Sequence, residues 1–242
     1  MPARFPGFPP ETLQFLRDLK ANNNRDWFQP RKAVYEQCVK APMVECVQAL
    51  GEELTDFGDA LVTAPDKAIY RIYRDVRFSK DKSPYKTHVA AVFSPRGHEK
   101  HAAAGLYFHF SPDELLVGGG IYAPGSQELL AIRGKIAADH KKLRTILNER
   151  AFRTTFGEMS GERLKRVPKG FPVDHPAADL LLYKQFLAGA QLDPKVVETP
   201  KFLAELVKHF RAIEPFIVFL NSGLPKRNLE SRPTARRNVK LV

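Results

Sequence analysis

Disulfide chemistry is almost absent from this chain: only two cysteines, Cys38 and Cys46, occur in 242 residues. On one helix they would lie about 12 Å apart, too far to bridge. Core thiols in a reducing cytoplasm are expected, and no cysteine cluster offers zinc a site. No run of about 18 apolar residues occurs, so no membrane-spanning helix and no membrane partner are expected. The opening Met-Pro-Ala-Arg-Phe-Pro-Gly-Phe-Pro-Pro lacks the apolar region of a secretory signal. Internal repeats and flexible linkers are missing too. Residues 1–224 are read as one domain, with a basic C-terminal extension at 225–242. Acidic residues are the minority: 27 Asp and Glu face 38 Lys and Arg, a net charge of +11. That balance favours anionic partners, although the extension alone supplies six cations against one Glu.

Several catalytic signatures are also missing. Ser111, Ser126 and Ser160 lack a G-x-S-x-G context. The glycine run 118–120 matches neither the dinucleotide fingerprint nor a Walker loop, and His98-Glu99-Lys100-His101 is one residue short of zinc-protease spacing. No metal is expected, and no motif names a cofactor.

What is present reads as helices around strands. Leu13, Leu16 and Leu19 predict a helix from Pro10 to Lys20, stopped by Asn22-Asn23-Asn24. A longer helix follows Pro30, with a stripe of Val34, Cys38, Val39, Met43, Cys46, Val47, Leu50 and Leu54. Pro42 should kink it. Trp27, the single tryptophan, enters beside Phe28 as a core aromatic. Strands are expected over Ala68–Arg77, Lys86–Phe93, Ala102–Phe110 and Glu114–Ile121, with a turn at Ser111-Pro112-Asp113. Ser126 then caps a helix that buries Leu129, Leu130 and Ile136, continued by Leu143, Ile146 and Leu147. Asp174 or His175 caps a short helix, and Phe186–Leu192 reads as a further strand. Asp193-Pro194 and Thr199-Pro200 start two more helical segments, the second long and amphipathic to Asn221. The class is α+β: a central antiparallel β-sheet flanked by N-terminal and C-terminal helices.

Strand alternation sorts the side chains. Tyr70, Ile72, Arg74, Val76 and Phe78 share one face of the first strand; Arg71, Tyr73, Asp75 and Arg77 share the other. Tyr107 and His109 fall on the cationic side, and His88 can join them. Gly118-Gly119-Gly120 leaves the sheet surface bare for a ligand or another backbone. The loop after the first strand adds Lys80, Lys82 and Lys86; a second shaped loop adds Lys165, Arg166, Lys169, Asp174 and His175. Sheltered together, these groups form an anion site; facing solvent, they form a charged edge.

The stretches RIYRDVRFSKDKSPYK, GLYFHF, GGGIYAP and LKRVPKGFPVDHPAADLL resemble, in that order, a family of conserved hypothetical proteins catalogued as a domain of unknown function, number 2461. The opening FPPETLQFLRDLKANNNRDWF is similar to its start. The resemblance spans roughly 8–221 and implies no activity, substrate or cofactor. It singles out the basic strand and loop, the Tyr/His strand and the second basic loop, here Arg71, Arg74, Asp75, Arg77, Lys80, Lys82, Lys86, Tyr107, His109, Lys165, Arg166, Lys169, Asp174 and His175.

Three functions fit. The leading expectation is a small anionic ligand (phosphate, nucleotide or acidic metabolite) in a basic cleft on the sheet, with His109 as the candidate acid or base if a substrate is turned over. The second is nucleic-acid binding, from the cations and the exposed Tyr73 and Tyr107. The third is an interaction protein with an internal ion-pair network of Arg74, Asp75 and Asp81, Asp174 also being able to pair with Arg74.

Overall fold

Four segments rich in Phe, Leu, Val and Gly pair into one antiparallel sheet, in order β1 (Val89–Phe93), β2 (Gly105–Phe110), β3 (Leu115–Ile121) and β4 (Phe186–Leu192). The structure, a computed structural model, describes residues 5–58, 61–98 and 102–225. Glu99, Lys100, His101 and the basic extension beyond Pro225 lie outside the described residues. No described helix is long and apolar enough to cross a membrane.

One sheet face is sealed. Phe93, Phe108 and Phe110 are fully buried there, against α9 (Phe202–Ser222). Phe202 packs edge-on to both Phe108 and Phe110, at 5.9 and 6.2 Å between ring centroids, and Phe210 meets Phe93 at 6.1 Å. A period of 3.6 places Phe202, Leu206, Phe210, Ile213 and Ile217 on one side of α9, and all are fully buried. This layer of aromatic and aliphatic packing is the main source of stability.

Of the remaining helices, α4 (Ala41–Glu53), α6 (Ser126–Asn148) and α7 (Arg150–Phe156) pack against α9. α1 (Pro10–Ala21) ends at Asn22. Beyond it the expected long helix is subdivided: α2 (Arg25–Phe28), a 3-10 turn, α3 (Lys32–Tyr35), a π turn at Glu36–Lys40 and α4 (Ala41–Glu53). Pro42 accounts for the irregularity, since it has no N–H for the carbonyl of Cys38. The hydroxyl of Thr12 on α1 donates to that carbonyl instead. Val34 is exposed and Cys38 half-buried; the rest of the expected stripe is buried. Both cysteines are free. Phe28 is the deep aromatic at this entry, while Trp27 is half-buried under the Arg31 guanidinium, 4.7 Å above its ring.

Short α5 (Pro65–Ala68) leads into the basic stretch. Against α9 follow α6, bent at Asp139, and α7, with α8 (Ala178–Leu181) beside α6. Ser126 is the first residue of α6 and does not cap it, Gly125 holding that place, and Leu130 is exposed. Asp193 does cap its 3-10 turn, accepting from the Lys195 amide at 2.9 Å.

The expected strand at 68–77 is the main correction to the sheet. It forms only scattered bridges, Ile69 with Ala91 and Tyr73 with Tyr85. The chain folds back on itself, and the expected alternation holds only in exposure: Arg71, Tyr73, Asp75 and Arg77 are exposed, Ile72 is buried and Arg74 and Val76 are half-buried. Tyr73 is exposed as expected, while Phe78, expected on the core face, is almost wholly exposed. The side chain of Asn23 supplies the missing ladder contacts at the return: Nδ2 donates to the Tyr85 carbonyl at 3.0 Å, and Oδ1 accepts from the Tyr85 amide at 3.1 Å. At the other end of the sheet Asn221 does the same for Ala104, accepting at 2.9 Å and donating at 3.0 Å.

Candidate functional site: a groove on the open face of the sheet

The sheet face turned away from α9 carries the residues of opposite parity. Ala90, Val92, Gly105, Tyr107, Leu116, Gly120, Leu187 and Gly189 floor a groove of about 520 Å³. Tyr70, Lys86 and His88 stand along the β1 edge, and Tyr122 and Ser160 along the other side. The floor is low because glycines alternate across it. Gly120 has φ +127°, and a Cβ there would sit 2.0 Å from the Phe186 carbonyl oxygen. Only glycine takes that backbone and that spacing without strain.

Four ionisable groups along the groove are pushed toward their neutral forms. Burial raises the Tyr70 phenol, and raises Tyr107 to about 12 with help from Tyr70 and Glu114. Burial lowers the Lys86 ammonium, and the nearby Arg71 guanidinium lowers it further. Burial likewise lowers His88, followed by His109 and Lys86, with Glu114 opposing. Four groups responding first to desolvation mark a recess poorly reached by water, where a polar contact is worth more than at an open surface.

Lys86 is the cation of this recess. Its Nζ donates to the Arg71 carbonyl at 2.6 Å and lies 5.5 Å from the centre of the Tyr70 ring. Among the described residues no carboxylate pairs with it. Beyond His88, the His109 ring lies 5.3 Å away. His109 Nε2 is 2.8 Å from Glu114 Oε1, an orientation set by the tight β2–β3 turn in which the Ser111 amide donates to the Glu114 carbonyl. The His109 side chain is 16% exposed, and its Nδ1 is buried with no hydrogen-bond partner among the described residues.

His88 also sets a pH response. Its folded pKa lies below the ordinary imidazole value of 6.5, so the unfolded chain binds the proton more readily. The stabilisation is complete above about pH 6.5 and is lost as pH falls through that value toward the folded pKa. His109, Lys86 and Glu114 are the titratable neighbours. Thermal melts should show the midpoint falling below about pH 6.5, and His88→Gln should flatten that slope. Identical slopes in both proteins would remove His88 from the account.

The other sequence candidates sit elsewhere. Arg71, Arg77, Lys80, Lys82, Lys165, Arg166 and Lys169 are exposed and none lines the groove. Alternation had put Arg71 and Arg77 beside Tyr107; the bent path of 69–77 puts Tyr70 there instead, with ring centroids 6.4 Å apart. Arg77 forks onto Asp75 through Nε at 2.9 Å and Nη2 at 2.7 Å, and holds that carboxyl at about 2. Arg74, with 27% of its side chain exposed, pairs with Asp81 and with neither Asp75 nor Asp174. Ser83 and Arg74 hold Asp81 well below the usual carboxylate range. His175 does not cap by carboxylate analogy; its Nδ1 accepts from the Ala177 amide at 3.0 Å, and Asp174 is exposed. Tyr122, Ser160 and Glu114 gave no sequence signal, because their roles depend on contacts between distant strands. Among the described residues no group of three His, Cys, Asp or Glu side chains is placed to hold a metal ion.

A sheet sealed on one face by helices and left open on the other as a sheltered groove defines an α+β protein with a candidate ligand-binding face. The chain belongs to the family described as conserved hypothetical protein, DUF2461, which it matches over residues 11–219. No curated protein matches it.

Proposed function

We propose that the groove binds a small acidic ligand with a flat apolar body, the acid on Lys86 and the body between Tyr70, Tyr107 and Tyr122. The observation that carries this is Lys86: a partly desolvated ammonium at the edge of an apolar recess, with no paired carboxylate among the described residues. A sheltered charge-assisted hydrogen bond contributes about 1.5–3 kcal/mol, and tyrosine faces favour planar groups. The volume of about 520 Å³ suits a molecule of metabolite size. The free thiols go with a cytoplasmic setting for this reading. If the ligand reacts, His88 is the imidazole that reaches the groove, with His109, held by Glu114, 5.3 Å from its ring.

Titration with indole-3-acetate, 4-hydroxyphenylacetate, indole-3-acetamide and inorganic phosphate tests the proposal, read by melting temperature and calorimetry. The two aryl acids should bind, and Lys86→Met should weaken them about tenfold, the loss of one sheltered charge contact. The neutral amide should bind weakly and ignore the substitution. Phosphate binding as tightly as the aryl acids, or Lys86→Met leaving the acids unaffected, would refute the assignment.

A further inference from the structure

The groove leaves most of the stretch Arg71–Lys86 unexplained, and that stretch builds a second surface. At its tip Phe78 is 95% exposed. A free phenylalanine in water is unfavourable, and a flexible loop would tuck it away. This loop is held open by its own bonds. Asp75 grips Arg77, Arg74 grips Asp81, and Asp81 takes the Ser83 amide at 2.9 Å and hydroxyl at 2.6 Å. The Lys82 ammonium donates to the Val76 carbonyl at 2.9 Å. Both acidic groups are thus used inside the loop. Lys80 remains exposed with no partner among the described residues, and the Arg77 guanidinium lies 5.8 Å from the centre of the Phe78 ring.

Tyr73, Arg74, Val76 and Tyr85 of the same stretch, with Arg25 and Gln29, line a cleft of about 370 Å³. Arg25 pairs with no carboxylate among the described residues, and the Tyr73 ring is 44% exposed. The loop and cleft therefore offer both exposed aromatic rings, Phe78 and Tyr73, and cations without a carboxylate partner among the described residues, Lys80 and Arg25. We infer that this loop and cleft bind single-stranded nucleic acid, one base stacking on Phe78, the next against Tyr73, with phosphates on Lys80 and Arg25. Stacking on aromatics beside a cationic track is how unpaired strands are held without a sequence code. A duplex keeps its bases stacked inside and offers these rings nothing. An anionic lipid surface could accept the tip and its cations, but has no use for the cleft.

The inference is independent of the groove and is tested apart from it. Fluorescence anisotropy with labelled oligouridylate and oligothymidylate of about 12 nucleotides, at several salt concentrations, gives affinity and salt slope. The full chain should bind single strands in preference to a duplex of equal length. Phe78→Ala should weaken binding about tenfold, the typical effect of one lost stack, without changing the melting temperature. Lys80→Gln should reduce the slope of log K against log salt by about 0.7, the share of one phosphate contact on a single strand. A full-length variant with Lys226, Arg227, Arg232, Arg236, Arg237 and Lys240 changed to Gln separates the loop from the tail. Loss of binding there, with Phe78→Ala behaving as the parent, overturns the inference. So does equal affinity for duplex, no oligonucleotide binding, or Phe78-dependent binding confined to vesicles of anionic phospholipid.

Discussion

Gly120→Ala should lower the unfolding free energy by about 3 kcal/mol or more, read from urea denaturation, combining left-handed backbone strain with a steric clash. The reason lies in the register of β3 on β4. Gly120 pairs opposite Leu187 at φ +127°, and its Cα faces the backbone of Phe186. An added methyl would stand 2.0 Å from the Phe186 oxygen, so β3 and the edge strand β4 must part or the residue must leave its conformation. Gly134→Ala is the matched control. That glycine lies inside α6, φ is not positive, and nothing stands within 4 Å of the added carbon. Helix propensity alone predicts a gain of about 1 kcal/mol there. Equal and small effects from both substitutions would mean that the strand spacing at Gly120 is not what the geometry implies.

Asn221→Ala should be nearly as costly, at about 2–4 kcal/mol. Ala104 is fully buried at the entry to β2, and both its amide and its carbonyl are satisfied by the Asn221 side chain. Removing that amide strands a buried donor and a buried acceptor together, at roughly 1–3 kcal/mol each. Hydrogen exchange gives the sharper readout: the Ala104 amide should exchange far faster in the variant, while amides in the middle of α9 keep their protection relative to global unfolding. If Ala104 stays protected, the clamp is dispensable.

Much of this architecture was legible because periodicity reports burial. The Leu13, Leu16 and Leu19 spacing gave α1 to within a residue, and the Phe-rich stripe after Pro200 gave α9. Alternation in GLYFHF put Leu106, Phe108 and Phe110 inside and Tyr107 and His109 on the other face, as found. From Arg71 to Arg77 it gave the exposure of each residue but failed on their place beside Tyr107, because that segment has only two bridges and no continuous ladder. The same failure displaced the candidate site. Charge is visible in sequence, but shelter is not: of the cations in RIYRDVRFSKDKSPYK, Lys86 alone borders the groove, and nothing local separates it from Lys82. Acidic neighbours were equally ambiguous, since whether Arg74 meets Asp75 or Asp81 depends on how tightly the loop returns.

Asn23 has a consequence for the ageing of the molecule. Its carboxamide fastens the Tyr85 backbone from both sides, one residue before Lys86 and beneath the loop that carries Phe78. Hydrolysis of that amide, with release of ammonia, would replace the Nδ2 donor by a carboxylate oxygen facing the Tyr85 carbonyl. Two lone-pair groups would then oppose each other where a bond had been. One spontaneous chemical lesion, at a side chain that lines neither surface, would loosen the Tyr85 backbone that adjoins both.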